Sequence, residues 1–155
     1  MSFLYIPAHG RLMYVCSMNW SFETMMIGRD LPLACTAPVS FPDGIAGAFT
    51  SLEQLFPDSG LRNRYGLSRP DNKGNILYQA AVGVRPEETI PPNMQRILLR
   101  QGKYAYFDIP DFMNNISLIG ETFQRLTALP DIDPEGYCIE WYTGPKDLRC
   151  LIRLK

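Results

Sequence analysis

Ile45-Ala46-Gly47-Ala48-Phe49-Thr50-Ser51-Leu52-Glu53-Gln54-Leu55-Phe56-Pro57 is the stretch from which the architecture of this chain can be read. Ile45, Phe49, Leu52, Leu55 and Phe56 fall at helical spacing, so the segment is expected to be an amphipathic helix. Pro57 ends it, because a proline has no N–H for the next helical hydrogen bond. Ser40 and Asp43 give a capping-box-like start, with Pro42 in the first turn. The stripe returns downstream. Ile45, Phe49, Leu52 and Leu55 shifted by 74 residues become Ile119, Phe123, Leu126 and Leu129. Ile116 extends this second helix, Asn114 or Asn115 caps it, and Pro130 stops it.

The same shift carries more than the helices. Gly28-Arg29 lands on Gly102-Lys103, Leu77 lands on Leu151, and Pro57 falls one residue from Pro130. The turn Ser68-Arg69-Pro70-Asp71-Asn72-Lys73-Gly74 lands on the turn Thr143-Gly144-Pro145-Lys146-Asp147, and both have hairpin chemistry. One offset thus aligns a strand start, a helical stripe and a hairpin without gaps, which is the mark of an internal repeat. The strands around the helices are read as a long β-rich run over Gln95–Ile109, and as Asn75–Arg85, Tyr137–Tyr142 and Leu148–Leu154.

The expected fold is therefore α+β: two pseudo-twofold-related β-α-β-β units, a mostly antiparallel sheet with both helices on one side, and a ligand groove between the halves. Residues 1–155 form a single domain, with an N-terminal extension (1–20), a first repeat (22–84), a Pro/Glu-rich linker (85–95) and a second repeat (96–155). Phe3–Ile6 and Leu12–Val15 in the extension suit a hairpin. Its apolar content argues for burial at a sheet edge, over the groove or in a homodimer.

Bulk properties exclude several classes. The chain has 155 residues, 46% hydrophobic and 20% charged, with a net charge of −1. That is globular, and it lacks the basic stripe of a nucleic-acid binder. No apolar run approaches a membrane span, and the N-terminus lacks the pattern of a secretory signal. Phosphate and dinucleotide loops are missing, as is a helix-turn-helix. His9 is the only histidine, and Cys16, Cys35, Cys138 and Cys150 form no CxxC pair, so neither a metal site nor a cofactor is expected. The cysteines read as reduced, partly buried thiols of a cytoplasmic protein.

Among candidate site residues, Glu140 stands out. In Cys138-Ile139-Glu140-Trp141-Tyr142, alternation puts Cys138, Glu140 and Tyr142 on one face and Ile139 and Trp141 on the other. The hairpin register decides what Glu140 meets. Opposite Cys150 it would sit on an apolar, aromatic face, where a carboxylate is costly without a cation. Opposite Arg149 it would form an ordinary cross-strand ion pair, the commoner fate of a strand glutamate. Tyr104 and Tyr106 share one face of their strand with Asp108, whereas Phe107 has the opposite parity and belongs to the core against Phe123.

Several of these residues resemble a known family. Gly102-Lys103-Tyr104-Ala105-Tyr106-Phe107, the helix around Glu121-Thr122-Phe123-Gln124-Arg125-Leu126, Cys138–Tyr142 and the closing strand Leu148–Leu154 look like the GyrI-like domain. This is the effector-binding domain of AraC- and MerR-type bacterial transcription regulators, here in stand-alone form. Residues 22–155 can be laid on it. The resemblance implies a groove that binds small organic molecules, often aromatic and cationic drugs, dyes or toxins, with a central glutamate that maps onto Glu140. Tyr142, Tyr104, Tyr106 and Trp141 are the ligand-binding candidates beside it. One departure is Gly66-Leu67-Ser68, where family members often carry tyrosines after the glycine. The copies are therefore alike in frame but unlike at the groove, and a ligand is expected to lie against the second half. Two rival readings follow from the resemblance. One is a hydrolase of strained electrophiles with Glu140 as general base, though no second catalytic group is evident by spacing. The other is a gyrase-inhibitor-like interaction module.

Overall fold

The computed structural model describes residues 20–155, so the hairpin expected within 1–19, with His9 and Cys16, lies outside the described residues. Twelve elements follow in order: β1 (Glu23–Ile27), β2 (Leu31–Thr36), α1 (Ile45–Leu55), a 3-10 turn (Ser59–Leu61), β3 (Arg64–Pro70), β4 (Ile76–Gly83), β5 (Gln95–Leu99), β6 (Gly102–Ile109), a 3-10 turn (Phe112–Asn114), α2 (Ile116–Thr127), β7 (Cys138–Tyr142) and β8 (Leu148–Arg153). The strands form one antiparallel sheet in the order β1-β6-β8-β7-β3-β4-β2-β5. Substituting each strand by its counterpart in the other repeat reverses this order. The sheet is thus pseudo-twofold symmetric about its central β7·β3 pair. Gly66 faces Glu140 in that pair, and these two are 74 residues apart, so the pseudo-axis passes between them.

The structure differs from the sequence reading in three places. The run 95–109 is two strands, broken at Arg100-Gln101. Gly102 reopens the chain with φ 138°, and a Cβ there would meet the Arg153 guanidinium at 2.9 Å, so this position requires glycine. Second, each repeat begins with an extra strand, and these are exchanged. β1 pairs with β6 of the second repeat, and β5 pairs with β2 of the first. Third, neither helix has a side-chain cap. Residues 40–45 make their own turn through Gly44 N–H to Ser40 O and Ile45 N–H to Pro42 O. That turn leaves Ser40 and Asp43 too far upstream to cap, and Gly44 takes the position. Asn115 is the N-cap of α2, but its side chain donates back to Pro110 O and Asp111 O.

Both helices cover the same face. Ala48, Leu52 and Phe56 pack on Tyr78, Ala80 and Val82 of β4. Phe123 and Leu126 pack on Ala105, Cys150 and Ile152, and Phe107 joins this cluster as its parity indicated. The other face is buried without any helix. Leu33, Leu67, Ile97, Leu99, Tyr104, Ile139 and Leu151 form one cluster there, joined by Met25 and Ile27. Residues of β1 and β5, at opposite ends of the sheet, share this cluster, so the sheet rolls on itself and makes its own second core.

Arg62 ties the linker to the first repeat. Its guanidinium donates to both Glu88 oxygens (2.9 and 2.6 Å), to Asp58 and to the Gly83 carbonyl. This fork holds the Glu88 carboxyl well below the usual range, at about 2. The Arg62 and Glu88 side chains are only 17% and 15% exposed, so Arg62→Ala, which leaves a part-buried carboxylate without its fork, is expected to cost about 1.5–3 kcal/mol in urea titrations. Glu88 contributes this stability above its unfolded pKa, and it is lost as pH falls from about 4.5 toward 2. Limited proteolysis within 85–94 should accelerate in the variant.

Candidate functional site

The register of the central strands decides the fate of Glu140. It lies opposite Gly66 on one side and Cys150 on the other, while Arg149 lies opposite Trp141. The cross-strand ion pair is therefore not made. Arg149 instead forks onto Asp108 at 2.7 and 3.0 Å. Glu140 points to the helix face, together with Cys138 and Tyr142. Helix α1 packs on β4 and α2 on β6 and β8, which leaves β3 and β7 as the floor between them. Glu140 keeps partial solvent access, and burial is the main influence on its carboxyl. That combination describes the bottom of a recess.

Aromatic side chains from both halves frame the carboxyl. The Tyr142 hydroxyl donates to Glu140 Oε2 at 3.2 Å. The Tyr142 ring meets Phe49 of α1 edge-on at 5.4 Å and Phe112 at 5.6 Å. Tyr78 lies under Phe41, ring centres 5.6 Å apart. Its hydroxyl is close enough to Tyr142 to influence that group's proton affinity, yet it has no partner in hydrogen-bonding geometry among the described residues. Gly66 makes the approach of Tyr78 possible. A Cβ at that position would stand 2.2 Å from the Tyr78 hydroxyl oxygen and 2.9 Å from its ring. Gly66→Ala is expected to push the Tyr78 ring out of the recess. A lowered urea midpoint, worth about 1–3 kcal/mol as for other overpacked sites, would register this.

Electrostatics follow from enclosure. Burial raises the Glu140 carboxyl to about 7, with the Tyr142 hydrogen bond opposing part of the rise. No basic side chain pairs with it among the described residues. Tyr78 and Tyr142 are both raised, first by burial and then by the Glu140 charge, so they stay protonated. Burial, followed by Glu140, also pushes the Cys138 thiol up to about 12 and Cys150 well above its ordinary value. Cys35, Cys138 and Cys150 are free and buried, and a protonated thiol is a poor nucleophile.

Of the five ligand-binding candidates, Glu140 and Tyr142 come together, whereas Tyr104, Tyr106 and Trp141 lie on the opposite face of the sheet. Tyr104 is 1% exposed and donates to the Arg100 carbonyl at 2.6 Å. Tyr106 donates to Glu23 at 2.6 Å. The Arg149 guanidinium sits 4.1 Å from the Tyr106 ring and 5.6 Å from the Trp141 ring, so a resident cation already occupies those aromatic surfaces. Within β7 alternation sets Trp141 on the face away from Glu140 and Tyr142, whereas for Tyr104 and Tyr106 the register decides, placing them opposite Arg153 and Leu151 of β8. Tyr78 and Phe112 were not singled out in the sequence, and Phe49 was read only as part of the helical stripe. A glycine inside a strand, Gly66, was the available signal, since it marks a close approach. The alternation of Tyr78 with Ala80 and Val82 gave the face.

Among the described residues no group of three His, Cys, Asp or Glu side chains could hold a metal ion, and no helix is long and apolar enough to cross a membrane. The sequence matches no known family and no curated protein. Its fold does have solved counterparts. SAV2435, solved with tetraphenylphosphonium bound, is 14% identical, with a TM-score of 0.59 over 88% of this chain and 94% of that one. An integron cassette protein from the mobile metagenome of Vibrio cholerae is 13% identical, with a TM-score of 0.60 over 86% and 95%. A hydrolase from Listeria innocua is 7% identical, with a TM-score of 0.53 over 86% and 91%. This chain therefore shares the fold of SAV2435 and of that cassette protein, over nearly the whole length of each.

Proposed function

We propose that this protein binds a small aromatic organic cation in the recess between α1 and α2, with Glu140 as its electrostatic anchor. One observation carries the reading: an enclosed carboxylate on the pseudo-axis with no basic partner among the described residues. An unpaired buried charge is costly, and an aromatic cation would remove that cost while packing against Tyr142, Tyr78, Phe49 and Phe112. The tetraphenylphosphonium bound to SAV2435, a protein of the same fold, supports this ligand class. The biological role that suits such a domain is sequestration of a toxic cation, or its sensing for a bacterial transcription regulator, in the cytoplasm. Fluorescence or calorimetric titration with tetraphenylphosphonium and a panel of cationic dyes tests the proposal, with neutral triphenylphosphine oxide as control. Micromolar binding of a cation, at least about tenfold tighter than the oxide, is expected. If no cation binds at micromolar concentration, the reading fails.

A second reading draws on the same carboxyl. A base titrating near 7 beside protonated tyrosines has the makings of a water-activating site. Glu140 would take a proton from water as its oxygen attacks an electrophilic ring carbon, and the Tyr78 hydroxyl would protonate the atom released. Turnover of a strained electrophile that disappears in Glu140→Gln would favour this reading. Binding without turnover favours the first.

A further inference from the structure

The face of the sheet away from the helices holds a separate cavity of about 160 Å³. It lies where the exchanged strands meet. Met25 and Ile27 of β1 and Leu99 of β5 line it, against Ile139 and Trp141 of β7 and Leu151 of β8. No lining residue carries a charge. The polar residues on the wall are Asn63 and Tyr65, and the Tyr65 hydroxyl interacts with the Asn63 side chain. The Tyr65 and Trp141 rings lie 6.1 Å apart at 30°, giving the cavity an aromatic side.

We propose that this cavity is a second ligand site, selective for a small neutral apolar molecule of about the size of a monosubstituted benzene. Size sets the upper limit, since apolar cavities of about 150 Å³ stay dry and take up benzene or xenon. Neutrality follows from the wall: the Arg149 guanidinium that touches Met25 and Trp141 is already paired with Asp108, so a charged ligand would be desolvated with no free counter-charge to meet it. The two sites stand back to back on β7, because Glu140 projects to one face while Ile139 and Trp141 project to the other. They differ in the chemistry they accept, so the second does not depend on what the first binds.

Trp141 supplies the readout. Trp20 and Trp141 are the only tryptophans, so Trp20→Phe leaves a single emitter on the cavity wall. Iodobenzene, a heavy-atom quencher, is expected to quench this emission saturably, with benzene restoring it by competition. Ile27→Phe, which fills the cavity from its partly exposed rim, should abolish the saturable phase. Glu140→Gln should leave it intact. Quenching that rises linearly without saturation, or that benzene does not reverse, overturns the proposal. So does loss of the saturable phase in Glu140→Gln, which would place the ligand in the other recess. The benzene competition needs no change to the cavity wall, so it decides the matter even where Ile27→Phe does not fold.

Discussion

Replacing Glu140 by glutamine is expected to weaken binding of an aromatic cation on the order of 100-fold, since removing one partner of a buried charge pair typically has effects of that size. Glutamine keeps the shape and the hydrogen-bond acceptor for the Tyr142 hydroxyl, so the loss reports the charge. pH dependence gives an independent check. The free carboxyl titrates near 7, and only its ionised form offers the cation a partner. Affinity should therefore fall about tenfold per pH unit below 7 and level off above it. In Glu140→Gln this slope should vanish. Calorimetric titration from pH 5.5 to 8.5 on both proteins would read it, and a wild-type affinity that stays flat across that range would sink the anchor role.

The same substitution should make the empty protein more stable. A carboxyl raised from 4.5 to about 7 costs the folded state on the order of 3 kcal/mol once it is ionised. The sign follows from proton binding. Below about pH 4.5 Glu140 is protonated in both states and contributes no penalty. As pH rises, the unfolded carboxyl ionises first while the folded one keeps its proton, so stability falls until about pH 7 and is then constant. Glu140→Gln should match the wild type at pH 4.5. At pH 8 it should melt roughly 5–10 °C higher. Differential scanning calorimetry at the two pH values checks this, and a variant less stable than the wild type at pH 8 would contradict it. A residue that costs stability and supports binding is the usual pattern of a functional site.

How far the chain could be read without coordinates varies with the kind of information. Periodicity located both helices, and turn chemistry located both hairpins, because these depend on residues close in sequence. The repeat gave the pseudo-axis, and Gly66 and Glu140 fall on it. The exchange of β1 and β5 was not legible. Strand pairing over 60 to 83 residues leaves no local mark, and the short runs around Arg100-Gln101 read as one. The site was half legible. Alternation set Glu140 and Tyr142 on one face, but only the hairpin register could choose between Cys150 and Arg149 as neighbour. Tyr104 and Tyr106 were drawn in by their type, and it took the sheet order to place them on the far side. Tyr78 extends over strand β3 toward Glu140, a route open only because residue 66 has no side chain.

The strand exchange gives the two repeats the character of a clasp. Each half lends its first strand to the other, and each loan is secured by a ladder of backbone hydrogen bonds. A single cut in the linker would break the chain without opening the clasp, and the two fragments should elute together under native conditions. Neither half, made alone, would find a partner for its leading strand. Two copies of one half would be drawn to trade strands with each other, reproducing as a dimer what this chain has written into one.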